Sequence, residues 1–377
     1  MNKLKLNQRL KERMYHLPWK NNDNPQCFLE ITRKCNIRCK SCYQKDMLGD
    51  GHKTINIINK EIDALIEAIN PSAICIVGGE PLEHPYLNKV IKYIHDKGVT
   101  PALFSNVLKL DHKTLDILVH QGLKVVYAHI DSQTRNKKEL DINRDRDNFA
   151  KLLRKFNNRV YGIQSAIISR DNIEYAGDIL KWCHNNRDVI KYCVFTLDGH
   201  KTGNDGLEIV DIIPKIKEKI KNFRLNTYLE GIQTPNLRWA QSVMINKRYA
   251  SASIIKVLNS LYRRFTGRYV SILTPRIFKY IDIFSVVIVK PHKKGTLDFC
   301  EACPDQTVVW MKKNGVEAPL IIHSCVSPDF LINGSSDEEQ RLSIYLENNK
   351  DKIIKASNYY KGNKYSSDAI FINKFKK

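Results

Sequence analysis

Phe28-Leu29-Glu30-Ile31-Thr32, followed closely by Cys35-Asn36-Ile37-Arg38-Cys39-Lys40-Ser41-Cys42, is an apolar run that opens into three cysteines at C-x3-C-x2-C spacing. Three close thiolates hold a metal centre by three corners and leave the fourth open. Iron–sulfur clusters are the usual occupants of such all-thiolate sites. A cluster with one open iron is built to bind something, whereas a fully ligated one mainly passes electrons. The competing reading is structural zinc, which wants four protein ligands, commonly as two C-x2-C pairs. Locally only Cys27, on the far side of the apolar run, stands near as a fourth.

The run Leu29-Glu30-Ile31-Thr32 into Cys35-Asn36, with the three cysteines, resembles the cluster motif of the radical S-adenosylmethionine (radical SAM) family. The resemblance implies that Cys35, Cys39 and Cys42 hold a 4Fe–4S cluster whose open iron is chelated by the amino and carboxylate groups of S-adenosylmethionine (SAM). It further implies that an electron, from a reductant such as flavodoxin or ferredoxin, cleaves SAM to a 5′-deoxyadenosyl radical that takes hydrogen from a substrate. Ser41 departs from the pattern, since the residue before the last cysteine is usually aromatic; here Tyr43 follows instead.

The chain of 377 residues is long enough for one large domain or two ordinary ones. Its ten cysteines are partly grouped at metal-ligand spacings, which favours metal binding in a reducing compartment over a disulfide scaffold. Residues 1–26 are basic and polar without an apolar signal core, and no stretch offers about 18 uninterrupted apolar residues. The expectation is a cytoplasmic protein. With 61 Lys and Arg against 40 Asp and Glu, it is suited to an anionic partner: nucleic acid, an acidic substrate, or peripheral contact with an anionic membrane surface.

From residue 25 a βα rhythm sets in. Apolar, β-branched-rich runs at 28–32, 73–77, 99–104, 124–130, 160–168 and 190–196 alternate with segments of helical period. In the clearest of these, Ile58, Ile62, Leu65, Ile66 and Ile69 share a face. Strands alternating with helices predict an α/β fold with a parallel sheet. The six units suit the partial (βα)6, TIM-like barrel that the resemblance implies, with a C-terminal α+β extension. Chemistry then belongs at the C-terminal strand ends. The expected organisation is an N-terminal extension (1–24), a radical SAM core (25–225) and a basic, partly helical linker or substrate segment (226–295). A Cys-containing module (296–330) and a charged helix and tail (331–377) complete it.

Three short motifs fall at strand ends. Gly78-Gly79-Glu80-Pro81 follows the second strand; two glycines admit a close ligand and a carboxylate can hold an ammonium group, although the same four residues also read as a plain turn. It resembles the family's GGEP motif, which receives the SAM amino group. Ser105-Asn106 ends the third strand and resembles the family's T-N-G segment, with Val107 in the glycine position; helix capping is the alternative. Asp131-Ser132 ends the fourth, where family members contact the SAM ribose. His129 precedes them on the face of Tyr127 and Asp131, as a proton-transfer group or a satisfied core histidine. Gln164 and Ser165 are candidates to point inward, and Val194–Thr196 to offer backbone to adenine. Cys75, Cys183 and Cys193 read as buried thiols.

Beyond residue 225 the rhythm stops. Residues 241–294 carry eleven Lys and Arg against the single acid Asp282, interleaved with aromatics. Ile254, Leu258, Leu261 and Phe265 recur at helical spacing, so this helix either packs on the core or lies in a membrane interface. No nucleic-acid-binding signature is present, which disfavours that partner. Then come Cys300-Glu301-Ala302-Cys303 and, across an expected hairpin, Cys325. This is a candidate second iron–sulfur site, a zinc site completed by His323, or a set of reduced thiols.

The expected function is reductive SAM cleavage and hydrogen abstraction from an unidentified substrate, with a lipid or isoprenoid-like molecule suggested by the basic, aromatic 241–294 segment. A peptide- or protein-modifying enzyme with an auxiliary cluster is the first alternative. A cluster- and SAM-binding protein without turnover is the second.

Overall fold

The computed structural model describes residues 3–19, 24–40, 42, 48–49, 51–198, 206–231, 235–270, 282–291, 306–313 and 316–323. Helix α1 (Lys3–Lys11) and the short β1 (Tyr15–His16) precede β2 (Gln26–Thr32). Then α2 (Ile55–Ile69), β3 (Ala73–Gly78), α3 (Leu87–Asp96), β4 (Thr100–Ser105), α4 (His112–His120) and β5 (Val125–His129) alternate. They are followed by α5 (Ser132–Arg135), α6 (Asn143–Arg154), β6 (Tyr161–Ile168), α7 (Ala176–Asn185), β7 (Ile190–Leu197) and α8 (Ile209–Lys219).

β2 to β7 lie side by side in chain order, every neighbouring pair parallel. The six expected units are therefore present. Local chemistry explains them: in α2, Ile58, Ile62, Leu65 and Ile69 are buried on one face, the Thr54 hydroxyl accepts from the Ile57 amide, and Asn70 ends the helix in the left-handed conformation. Each such apolar side chain contributes about 1.5–3 kcal/mol by leaving water.

The sheet does not stop at six strands. β8 (Thr227–Glu230), β9 (Leu237–Ile245), β10 (Arg248–Tyr249), α9 (Ala252–Thr266) and β11 (Ile283–Val289) follow. β11 adds parallel to β7, β9 runs antiparallel beside it, and β8 and β1 complete the edge. Residues 226–295, expected as a partly helical linker, thus build four strands of the core sheet, and the expected N-terminal extension supplies a fifth. Sheet pairing at such sequence distances leaves no local signature. The hairpin β12 (Gln306–Lys313) and β13 (Val316–His323) forms a separate two-stranded sheet. Cys300, Cys303 and Cys325, and the tail from 324, lie outside the described residues.

Two apolar layers flank the large sheet. One packs helices against the strands; the other lines the opposite face with Cys75, Ala102, Tyr127, Tyr161, Ile163, Tyr192, Val194, Trp239 and Val287. Leu17 and Trp19 join this inner layer, which is how the N-terminal segment is fastened. Among the described residues no helix is long and apolar enough to cross a membrane.

Candidate functional site

The C-terminal ends of β2 to β5 converge on the cysteine loop. Its base is closed by main-chain bonds: the Arg33 amide to the Gly51 carbonyl at 2.9 Å, Gly49 to Arg33 at 3.0 Å, and Lys53 to Ile31 at 3.0 Å. The next strand end then grips it, with the Gly79 amide donating to the Thr32 carbonyl at 2.9 Å and the Glu80 amide to Lys34 at 2.8 Å. From β4, Asn106 Nδ2 donates to Asn36 Oδ1 at 2.7 Å. From α5, Asn136 Nδ2 reaches the Arg38 carbonyl at 2.7 Å, while the Lys40 amide donates to Gln133 at 3.1 Å. The Gly78–Pro81 and Ser105–Asn106 segments thus touch the loop directly, and the third motif reaches it through α5, the helix that Asp131 caps.

Gly78 and Gly79 are demanded by this closeness. A β-carbon on either would stand 2.3 Å from a carbonyl oxygen, that of Thr32 or Lys34, and Gly78 has φ +150°. Val107 keeps the left-handed backbone, φ 55°, that a glycine would adopt freely, a strained position for a β-branched residue.

Cys35, Cys39 and Cys42 form no disulfide and are partly buried. Burial, then mutual charge, pushes Cys39 up to about 12; burial also raises Cys35, against the lowering effect of the Ile37 amide, with Glu80 and Cys42 adding to the rise. Thiolates gathered here call for a cation to offset them. Among the described residues no three His, Cys, Asp or Glu side chains already stand as a metal-ligating cluster.

The carboxylates have partners within the chain. Glu80, buried, accepts from the Ser105 hydroxyl, the Asn106 amide and the Leu82 amide; burial raises its carboxyl, and these bonds oppose the rise. Asp131, also buried, caps α5 by accepting from the Gln133 and Thr134 amides and the Thr134 hydroxyl. The Ser132 hydroxyl accepts from Asn172 Nδ2. Pro81 opens a short 3-10 turn. Ser165 alternates with Tyr161 and Ile163 and so belongs to the inner face, whereas Gln164 Nε2 is spent on the Ile130 carbonyl. The main chain of Val194–Thr196 is paired with β6 on one side and β11 on the other, so it is not presented to adenine as expected.

Sequence reading missed Arg135. Its side chain is 4 % exposed; Nη2 donates to the Asn106 carbonyl and Nε to Asp145, but buried Nη1 has no partner among the described residues. Asp131 and Cys39 both act on it electrostatically. An Arg three residues into a helix carries no motif, so only its burial identifies it. His129 stands nearby with Phe104 and Tyr127, whose rings stack at 3.8 Å. Burial, then the Arg135 charge, lowers it to about 4, so it is neutral at ordinary pH.

Residues 29–183 match the model of the Radical SAM superfamily. It is 29% identical over 120 residues to GTP 3',8-cyclase of Chlorobaculum tepidum, covering 31% of this chain and 36% of that one. To the subtilosin biosynthesis protein AlbA of Bacillus subtilis it is 28% identical over 99 residues, covering 26% and 22%. The chain thus spans about a third or less of these curated relatives. Among solved structures, Streptococcus suis SuiB bound to precursor peptide SuiA overlaps at TM-score 0.43 and 14% identity, over 53% of this chain and 46% of that one. The cofactors that go with the matched family model are a 4Fe–4S cluster and SAM. The residues present suit them: a three-thiol loop, a glycine pair pressed against it, and a guanidinium N–H of Arg135 that has no partner among the described residues.

Proposed function

We propose that the protein is a radical SAM enzyme whose cluster is held by Cys35, Cys39 and Cys42, with an external reductant such as flavodoxin or ferredoxin. The observation that carries this is the convergence of the Gly78–Pro81 and Ser105–Asn106 strand ends, and of α5 capped by Asp131, on the cysteine loop. When bound, the cluster and SAM supply reductive cleavage to a 5′-deoxyadenosyl radical. Gly78 and Gly79 let a small cofactor approach the main chain. Arg135 offers its free N–H to the SAM carboxylate, a charge-assisted bond. Glu80, Ser105, Asn106, Asp131 and Ser132 hold the strand ends in register and leave contact with SAM to backbone and Arg135. The aromatic inner layer keeps water from the radical. Reconstituted protein with dithionite and SAM should release 5′-deoxyadenosine; release by a Cys39→Ala variant would overturn the assignment.

A peptide or protein substrate is the reading we favour over a lipid. The name of AlbA, a bacteriocin biosynthesis protein, supports it. The basic segment that suggested a lipid substrate has its helix at the opposite end of the strands from the cysteine loop. Hydrogen-abstraction assays on a peptide encoded beside the gene, with deuterium transfer into 5′-deoxyadenosine, test this choice.

A further inference from the structure

α9 crosses the end of the sheet farthest from the cysteine loop. It follows β9, which descends from the loop end, and its exit is fastened where β3 and β4 begin. There the Ser72 hydroxyl donates to the Tyr269 carbonyl at 2.9 Å, and Arg268 donates to Asn70 at 2.9 Å and to the Gly98 carbonyl at 3.3 Å. Only a narrow seam of the helix, Ile255 and Asn259, is buried. Ile254, Val257, Leu258, Leu261 and Phe265 are exposed, Phe265 at 82 %, and their spacing puts them in one stripe beside that seam. Helical spacing alone would send this stripe to the core; here the core is met by different residues.

The flank on the side of the stripe away from the seam carries Lys256 and Arg264, and the turn leading to the helix carries Lys247 and Arg248, all exposed. Residues 241–270 contain six Lys and Arg and no acid. An apolar stripe edged by cations fits an interface that is apolar within and anionic at its surface. A second copy of this face would bring like charges together, which argues against self-association.

We propose that α9 is a docking helix for an anionic membrane surface, and that docking turns the cysteine loop away from the bilayer. β7, of eight residues, sets the distance between the two ends at roughly 25 Å. The substrate is then delivered from the water side. This inference stands on α9 alone and does not depend on the radical chemistry.

The test uses the full chain and vesicles of phosphatidylcholine with about 30 mol% phosphatidylserine in about 0.1 M salt. Wild type should co-sediment with these and not with phosphatidylcholine alone. Leu261→Ser/Phe265→Ser and Lys256→Glu/Arg264→Glu should each weaken partition at least about tenfold, with unchanged thermal midpoints. The rate of alkylation of the loop cysteines should be the same with and without vesicles. No binding by wild type overturns docking. Binding that ignores the Leu261/Phe265 change overturns the role of the stripe. A variant that melts early, or that turns a dimer into a monomer, assigns the stripe to the chain itself or to a second copy. Protection of the cysteines by vesicles overturns the orientation.

Discussion

The Ser105 hydroxyl donates to Glu80 Oε1 at 2.8 Å across the ends of β4 and β3, both residues being buried. The neighbouring Asn106 amide takes Oε2 at 2.8 Å. One carboxylate thus clamps two strand ends that also grip the cysteine loop. Glu80→Gln puts an amide N–H against a donor and should cost about 1–3 kcal/mol, with Ser105→Ala costing about 1. Urea unfolding of the metal-free chain checks both, and wild-type stability in Glu80→Gln would rule out the clamp.

Removing any one of Cys35, Cys39 or Cys42 should bring iron and sulfide at that site to background after anaerobic reconstitution. A Cys300→Ala/Cys303→Ala variant should keep the loop cluster. Iron and sulfide per chain, read with electron paramagnetic resonance, separate the two sites.

Arg135→Met should weaken SAM binding about tenfold or more, on the worth of about 1.5–3 kcal/mol for a hydrogen bond to a charged group, while iron content stays unchanged. Arg135→Lys should recover part of the affinity. Calorimetric titration of SAM into reconstituted protein provides the number, and equal affinity in all three would remove Arg135 from the site.

Asp131 and His129 should pull stability in opposite directions with pH. Burial pushes the Asp131 carboxyl up from 3.8 to about 6, so between these values the folded chain keeps a proton that the unfolded chain releases. Its contribution is therefore lost as pH rises through that window. His129 falls from 6.5 to about 4, so the unfolded chain takes up the proton first and stability is lost as pH falls. Asp131→Asn should make the metal-free protein gain stability more steeply between about pH 4 and 6, and His129→Phe should flatten or reverse the slope. Denaturant midpoints across that range decide it.

Arg146 and Glu139, both fully enclosed, pair with each other; Arg146 also donates to the Ile130 carbonyl at 3.0 Å, and Glu139 accepts from the Ser132 amide at 3.0 Å. The pair ties α6 to the end of β5. Arg146→Met should cost about 3–5 kcal/mol because it strands a buried carboxylate, and the double change Arg146→Met/Glu139→Leu should recover much of it. A thermal or urea series on the three variants measures the coupling.

The six βα units were legible because strand and helix patterns are local: the apolar run of 73–78 and the stripe of 55–69 each lie within one element. The cysteine spacing and the glycine pair were equally local, and they named the chemistry. Three things depended on contacts between distant residues. Asn36 meets Asn106, 70 positions away, because parallel crossovers return each strand end to the same rim. β11 pairs with β7 although about 90 residues separate them, so the sheet outgrows its six-unit pattern. The apolar stripe of α9 was plain in the sequence, yet its direction was not: the seam through Ile255 and Asn259 takes the inward side, and Leu261 and Phe265 are left facing out. A periodic pattern determines that a helix has a face, and only the packing of the whole chain decides what that face meets.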